Sequence, residues 1–292
     1  TLFPYTTLFR SIVYYVCSGA TTDVMTLQIG DALKDGFERA VSLNGLVLMG
    51  VFLVFSAVNT VVSQSASLAI QESLQQFSVQ SVQQSGMAGF GGAETVLAVA
   101  VPLPVVLVLT LVSMFVAEGL RIVGIRMFAA DETLSPTADS VRDRLPVAVL
   151  NGVLAGIIAT ALTYLGLPLL VVPGVFIALS FFFVRQEIAL ENKNFIDALR
   201  DGWAMTRGER FELFGLGTII FLISLVASSP ATVLFFLSPL AALVLGMGTS
   251  AVTTVFGIAV VTRAHQQLKD DSTDMGSEPT PTETTQGNGV GL

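Results

Sequence analysis

The chain has 292 residues, of which 52% are hydrophobic and only 12% are charged, and its net charge at pH 7 is −8. A soluble domain carries about 25% charged residues, so this composition excludes an ordinary soluble domain and indicates a membrane protein. The acidic balance also excludes nucleic acid as a partner, because that binding requires a basic stripe.

Residues 1–24 are expected to be an artefact of cloning or assembly. Residues 1–11 match the first-frame translation of a common sequencing-library adapter, and Met25 is the first methionine that opens a sensible helix. The single cysteine, Cys17, lies in this part. We therefore expect a native chain without thiols, which excludes disulfides, thiolate metal sites and cysteine nucleophiles.

Six segments are long and apolar enough to cross a hydrocarbon core about 30 Å thick. They cover approximately residues 41–62, 95–117, 147–166, 170–187, 211–229 and 231–261. Turns are predicted at 167–169 and at Ser228-Ser229-Pro230. The predicted fold class is all-α, an integral membrane domain of six transmembrane helices over residues 25–269.

The basic residues predict the orientation of these spans. After residue 24, every Lys and Arg lies before span one, between spans two and three, at the end of span four (Arg185), between spans four and five, or after span six. By the positive-inside rule, these parts and both termini are cytoplasmic, so we expect a multi-pass protein of the cytoplasmic membrane.

The cytoplasmic loops are acidic and contain few lysines, namely Lys34, Lys193 and Lys269. High internal salt screens repulsion between like charges, so this composition is typical of a halophile and we expect a halophilic-archaeal type of sequence. The alternative is a random acidic bias combined with the acidic tail.

Three copies of one short pattern stand before apolar segments. The pattern is Asp, any residue, aliphatic, basic, Asp, any residue, large apolar. Its defined positions are Asp31, Leu33, Lys34, Asp35 and Phe37, then Asp139, Val141, Arg142, Asp143 and Leu145, then Asp197, Leu199, Arg200, Asp201 and Trp203. Three copies predict a threefold internal repeat of interfacial helix plus helical hairpin.

The spacing within each copy predicts an amphipathic helix that lies in the headgroup region. The aliphatic and large apolar positions are four residues apart and share one helical face, whereas the Asp and basic positions lie on the other. Trp203, the only tryptophan, occupies a position where an interfacial ring is favoured. The aspartates are expected to form a solvated face; the alternative is that they bind a cation or a substrate.

Two segments lie outside the spans. The Gln- and Ser-rich residues 63–94 predict an amphipathic helix on the outer leaflet, with a lid or a docking site for a partner as the alternative role. Residues 270–292 contain too few aliphatic side chains to bury a core, and we expect a disordered acidic cytoplasmic tail.

Residues with catalytic potential are sparse. The only histidine, His265, follows the last span, where it is expected to cap or solvate a helix end. Glu187 and Glu191 form a carboxylate pair beside a span but lack a third ligand. No common nucleophile, phosphate-loop or metal motif is present, so we expect no catalytic residue, metal or cofactor.

Some residues within or beside the spans have special backbone or packing roles. Glu118 and Arg185 are predicted at span ends, away from the midplane. Gly152 and Gly156 predict a close helix contact. Pro239, in the last span, predicts a kink, or alternatively a broken helix that exposes its backbone to a substrate.

A group of motifs lies between residues 146 and 230: Val172-Pro173-Gly174-Val175, then Glu187, then Phe195 to Trp203, then Thr206 to Phe211. This region resembles the membrane domain joined to some glycerophosphoryl diester phosphodiesterases and its stand-alone relatives. The resemblance implies that Pro173 and Gly174 turn a hairpin and that the segment ending at Trp203 forms a cytoplasmic helix. The catalytic domain of those enzymes has no counterpart here, so hydrolase activity is not implied.

These features predict a non-enzymatic integral membrane protein whose partners are the lipid bilayer and other membrane proteins. The rival interpretation is a permease or export component for a small or lipid-like solute, and a membrane-embedded hydrolase ranks third. A polar cavity that reaches Pro102 or Pro239 favours the permease, whereas a well-packed centre favours the non-enzymatic component.

Overall fold

The computed structural model describes residues 27–76, 96–130, 144–169, 171–207 and 209–276. Nearly all of these residues are helical, and none of them forms a strand. The helices are α1 (Ile29–Ala40), α2 (Leu43–Gln76), α3 (Leu103–Ala129), α4 (Leu145–Leu169), α5 (Val171–Ser180), α6 (Val184–Glu191), α7 (Phe195–Met205), α8 (Arg210–Phe235) and α9 (Pro239–Gly276). The all-α fold class is confirmed.

Within the described ranges, five helices are long and apolar enough to cross a membrane, namely α2, α3, α4, α8 and α9. Their surfaces expose large apolar side chains, for example Val226, which is 71% exposed, and Leu107, which is 56% exposed. Soluble proteins rarely expose apolar surface on this scale, whereas lipid tails cover it at no cost. The chain is therefore a multi-pass membrane protein by the length and composition of its helices.

The fourth predicted span, 170–187, is not one long helix. It consists of α5 and the start of α6, which are separated by a turn at residues 181–183. Pro173 and Gly174 lie in the first turn of α5, so the chain reverses before them and not at them. The hairpin is nevertheless tight, because a Cβ placed on Gly166 of α4 would lie 2.9 Å from the Gly174 Cα.

The predicted turn at Ser228-Ser229-Pro230 is wrong, because α8 continues through it to Phe235. Proline has no N–H, so Pro230 leaves the carbonyl of Val226, four residues earlier, without its usual helical donor. The Ser229 hydroxyl donates to that carbonyl at 2.8 Å. In a bilayer, such a side-chain hydrogen bond replaces the missing backbone bond and keeps the helix intact. The chain reverses instead at residues 236–238.

Several predicted boundaries shift. The predicted outer helix begins as a direct continuation of α2, which runs to Gln76, while α3 begins only at Leu103 and continues to Ala129. Helix α9 extends to Gly276, so the predicted tail does not begin at residue 270. Residues 1–26, 77–95 and 277–292 lie outside the described residues, as do Asp139, Val141, Arg142 and Asp143 of the second motif.

Helix α9 packs against α1, α2, α3 and α8, and α6 packs against α3, α4 and α7. The bundle has two distinct ends. The charged end contains α1, α6, α7, the last turns of α3 and α9 and the start of α8. The opposite end contains the last turns of α2, the start of α3 and the α8–α9 connection. Cross-helix ion pairs concentrate at the charged end.

Candidate functional site

Helices α1 and α7 carry the first and third copies of the sequence motif, and small residues form their most buried face. These residues are Ala32 and Gly36 in α1 and Ala198 and Gly202 in α7. They occupy the two positions that the pattern leaves open to any residue. The signal that could have revealed them is that both copies place Ala and then Gly there.

The glycine of each copy permits a close helix contact. A Cβ on Gly36 would lie 2.7 Å from the Val260 Cα of α9, and a Cβ on Gly202 would lie 3.0 Å from Cγ2 of Val184 in α6. Both motif helices are therefore held against the bundle through their small residues.

The apolar positions of the motif divide between the core and the surface. Leu33 and Leu199 pack at the edges of buried clusters, whereas Phe37 is 58% exposed. Trp203 is half-buried, and its ring centre lies 5.7 Å from those of both Phe176 and Phe181. The apolar side chains of the motif therefore pack partly against other helices and are partly exposed at the surface of the bundle.

The second aspartate of each described motif makes an ion pair with another part of the chain. Asp35 accepts from the Arg263 guanidinium of α9 at 2.9 Å. Asp201 accepts from the Lys193 ammonium at 2.9 Å. These two aspartates therefore link elements, and their side chains remain 37% and 44% exposed.

The most buried charged cluster at the charged end centres on Glu187. Its carboxylate lies 2.8 Å from Nε2 of His265, and both side chains are only 1% exposed. Lys193 donates to the same carboxylate and to Asp201. His265 is therefore buried between helices, in contrast to the solvated or capping position expected from the sequence. The cluster joins α6, α7 and α9.

Contacts within the cluster shift the pKa values of Glu187 and Lys193. Burial by itself raises the pKa of Glu187, but hydrogen bonds from His265 and Lys193 together with their charges outweigh it and lower the pKa to about 2. For Lys193, burial acts to lower the pKa, and hydrogen bonds to Glu187 and Asp201 outweigh it and raise the pKa. Both shifts favour the charged forms, so Glu187 and Lys193 form an ion pair at neutral pH.

A second cluster lies between α3, α4 and α6. The Glu118 carboxylate accepts from Nε of Arg185 at 2.9 Å and from Nη1 of Arg121 at 3.4 Å. Glu118 is 4% exposed as a side chain, whereas Arg185 and Arg121 remain 43% and 42% exposed. Glu118 is the sixteenth of the 27 residues of α3. It therefore lies well inside the helix, which continues for 11 residues beyond it to Ala129.

Gly152 and Gly156 of α4 make the space for this second cluster. A Cβ on Gly152 would lie 2.8 Å from Oε1 of Glu118, and one on Gly156 would lie 3.1 Å from Nη2 of Arg185. The glycine pair therefore accommodates polar side chains from two other helices. The sequence indicated a close contact at these glycines but not its charged partners.

The predicted Glu187 and Glu191 pair does not act as a unit. Glu191 accepts from Lys269 of α9, while Glu187 belongs to the His265 cluster. Within the described part of the chain, no three His, Cys, Asp or Glu side chains are grouped as a metal site. The Glu187–His265 pair combines an acid and a base, but at 1% exposure neither side chain is open to a substrate.

The opposite end has a cavity of about 400 Å³ between α2, α8 and α9. It reaches Pro239, and its lining is mainly apolar, including Phe235 and Phe236. Two hydroxyls in the lining, those of Ser228 and Thr232, donate to backbone carbonyls of α8 at 3.0 and 3.3 Å. These hydroxyls are therefore already hydrogen-bonded, and the cavity suits an apolar occupant better than a hydrophilic one.

Comparison with known proteins assigns the chain to a family. A family model described as Domain of unknown function (DUF7847) matches residues 27–268. No curated protein and no solved structure matches significantly. The matched segment covers well over half of the sequence and includes both charged clusters and the cavity. The chain therefore belongs to the DUF7847 family.

Proposed function

We propose that this protein is a non-enzymatic component of the cytoplasmic membrane that organises lipids or partner proteins around it. One observation carries the proposal: charged side chains at the charged end, of which Glu187 and His265 are the most buried, pair with one another across helices. Glu187 and His265 join α6 to α9, Lys193 extends this cluster to Asp201 of α7, and Asp35 with Arg263 joins α1 to α9. Loss of one partner would leave an uncompensated buried charge, so these side chains are committed to one another and are not presented to a substrate.

The proposed topology has six crossings, with the charged end and both termini in the cytoplasm. Helix α4 leaves the charged end, where its Asn151 accepts a hydrogen bond from the Phe195 N–H. Helix α8 starts again at that end, where Glu209 accepts from the Leu27 N–H. The chain must return between them. We assign the return to α5 and its following turn, a shortened crossing that thinning of the bilayer accommodates.

The threefold repeat is part of the same proposal. Helices α1 and α7 both bury an alanine and a glycine at equivalent motif positions, and a pair of longer helices follows each of them. The second copy would precede α4 and α5. This arrangement also agrees with the resemblance to the membrane domain of glycerophosphoryl diester phosphodiesterases, in which an interfacial helix precedes a span.

The alternative function is a permease or export component for a lipid-like solute. The cavity near Pro239 favours it, because it opens among lipid-facing helices at the opposite end of the bundle. Its mainly apolar lining argues for a lipid-like solute over a hydrophilic one.

Reconstituted vesicles separate the two functions. If the protein organises lipids without transporting them, a fluorescent phospholipid should flip-flop at the same rate in vesicles with the protein and in vesicles without it. Energy transfer from Trp203 to dansyl-labelled lipids should be stronger for some headgroups than for others. Equal transfer to all headgroups argues against lipid organisation.

Faster flip-flop would support the permease instead. In that case Ala242→Phe, which fills the cavity, should restore the slow rate, because Ala242 lines it. Ala241→Phe is the matched control, because Ala241 is the adjacent residue of the same helix and its side chain is exposed. It should leave the faster flip-flop unchanged.

A further inference from the structure

We propose that Arg121 and Arg185 form a binding site for the headgroup of an anionic phospholipid. This inference rests on the proposed role in lipid organisation and names the lipid class and the site. The two guanidiniums converge on the single carboxylate of Glu118.

The charge at this cluster is not balanced. Two arginines carry two positive charges and Glu118 carries one negative charge, so one positive charge remains. Among the described residues, Glu118 is the only carboxylate within 4.0 Å of either guanidinium. The two arginines also repel each other. An anion bound between them would relieve this repulsion and neutralise the cluster.

The position of the cluster selects a lipid over a soluble anion. Arg121 and Glu118 belong to α3, one of the five helices apolar enough to cross a membrane. At 1.5 Å per residue, α3 is roughly 40 Å long, so its last turns extend beyond a hydrocarbon core of about 30 Å. Arg121 lies eight residues before the end of α3 at Ala129. Its flexible side chain can therefore extend toward the headgroup region.

The surface beside the cluster is apolar and open. On α3, Met114 and Leu107 lie seven and fourteen residues before Arg121, on the same face of the helix, and both are exposed. These side chains suit contact with acyl chains, and the exposed parts of Arg121 and Arg185 suit contact with a phosphate. A guanidinium donates two parallel hydrogen bonds to phosphate oxygens, which fixes the headgroup more firmly than a lysine would.

The role of Glu118 follows from this geometry. Its carboxylate competes with the lipid phosphate for the same guanidiniums. It also keeps both arginines in place through its two ion pairs. Glutamine at this position removes the negative charge but keeps a side-chain oxygen that can accept from a guanidinium, so Glu118→Gln should strengthen anion binding, whereas a purely structural cluster predicts no gain in binding.

Native mass spectrometry of the full chain in detergent tests this site with phosphatidylglycerol as the probe. Arg121→Gln and Arg185→Gln should each weaken binding of the first phosphatidylglycerol roughly fivefold, the effect of about one basic residue near an anionic lipid. Arg207→Gln is the matched control, because Arg207 is exposed at the charged end outside the cluster, and it should leave binding unchanged. Glu118→Gln should tighten binding.

Further measurements distinguish lipid binding from loss of fold and from binding of a free anion. Arg185→Lys keeps the positive charge, so it should retain more lipid binding than Arg185→Gln. It replaces the glutamine variant as the test if Arg185→Gln folds poorly. Far-UV circular dichroism of every variant identifies loss of fold. Excess inorganic phosphate should not displace the lipid; displacement would show a free-anion site and overturn the lipid assignment.

Two results would overturn the site outright. One is binding by Arg121→Gln and Arg185→Gln that equals that of Arg207→Gln. The other is equal binding of phosphatidylcholine and phosphatidylglycerol by the unmodified chain. Neither result decides the proposed lipid-organising function, because the flip-flop and energy-transfer measurements test that function separately.

Discussion

Replacement of Gly36 by alanine tests whether small motif residues hold α1 against the bundle. A Cβ at this position would lie 2.5 Å from Cγ2 of Val260, 2.7 Å from its Cα and 2.9 Å from its backbone nitrogen. Two of these three atoms belong to the backbone of α9. A rotamer change of Val260 therefore cannot remove the clash, and α1 or α9 must move.

The size of the effect follows from two opposing terms. Overpacking of a close contact costs about 1–3 kcal/mol. Alanine also has a helix propensity about 1 kcal/mol better than glycine. Gly30 is in the same helix, and its added Cβ would meet no atom within 4 Å. Gly30→Ala therefore gains propensity without a clash, and the difference between the two variants isolates the steric cost of about 1–3 kcal/mol.

The free energy of unfolding can be measured by titrating the purified chain from mild detergent into dodecyl sulfate. Fluorescence of the single Trp203, which lies against Phe176 and Phe181, and far-UV circular dichroism report the transition. We expect Gly36→Ala to unfold at less dodecyl sulfate than the unmodified chain and Gly30→Ala. Equal stability of the two variants would refute the tight contact between α1 and α9.

Three further predictions concern pH, topology and salt. Because the pKa of Glu187 is lowered from 4.5 to about 2, its ion pairs should stabilise the fold fully above pH 4.5 and lose their effect as the pH falls toward 2. The loss should be on the order of 3 kcal/mol, and Glu187→Gln should abolish this part of the pH dependence of unfolding; an unchanged dependence assigns it to other carboxylates. In a chain whose Cys17 has been replaced, an impermeant maleimide applied to intact cells should label Ser81→Cys but not Asp139→Cys or Arg207→Cys, and equal labelling of all three contradicts the orientation. If the acidic composition is an adaptation to high salt, molar KCl should raise the thermal midpoint of the purified chain because it screens the net charge of −8; a midpoint independent of KCl contradicts the halophile interpretation.

The sequence by itself determined the helical class and the position of most long helices. This was possible because a segment inside a bilayer must satisfy its own backbone hydrogen bonds, so a long apolar run is helical whatever its neighbours are. The same rule explains the error at Pro230. The sequence signal for a turn was real, but the hydroxyl of Ser229 satisfies the carbonyl that the proline leaves free.

Only the tertiary structure decided which charged residues form a site. The sequence identified Glu118, Arg185, Glu187 and His265 as individual residues near span ends. It did not show that Glu118 pairs with Arg185, 67 residues later, or that Glu187 pairs with His265, 78 residues later. These pairings depend on how α6 packs between α3, α4 and α7 and on the position of α9 in the bundle. Local periodicity fixes the faces of a single helix, whereas the partner of each face is set by the packing of helices that are distant in the chain.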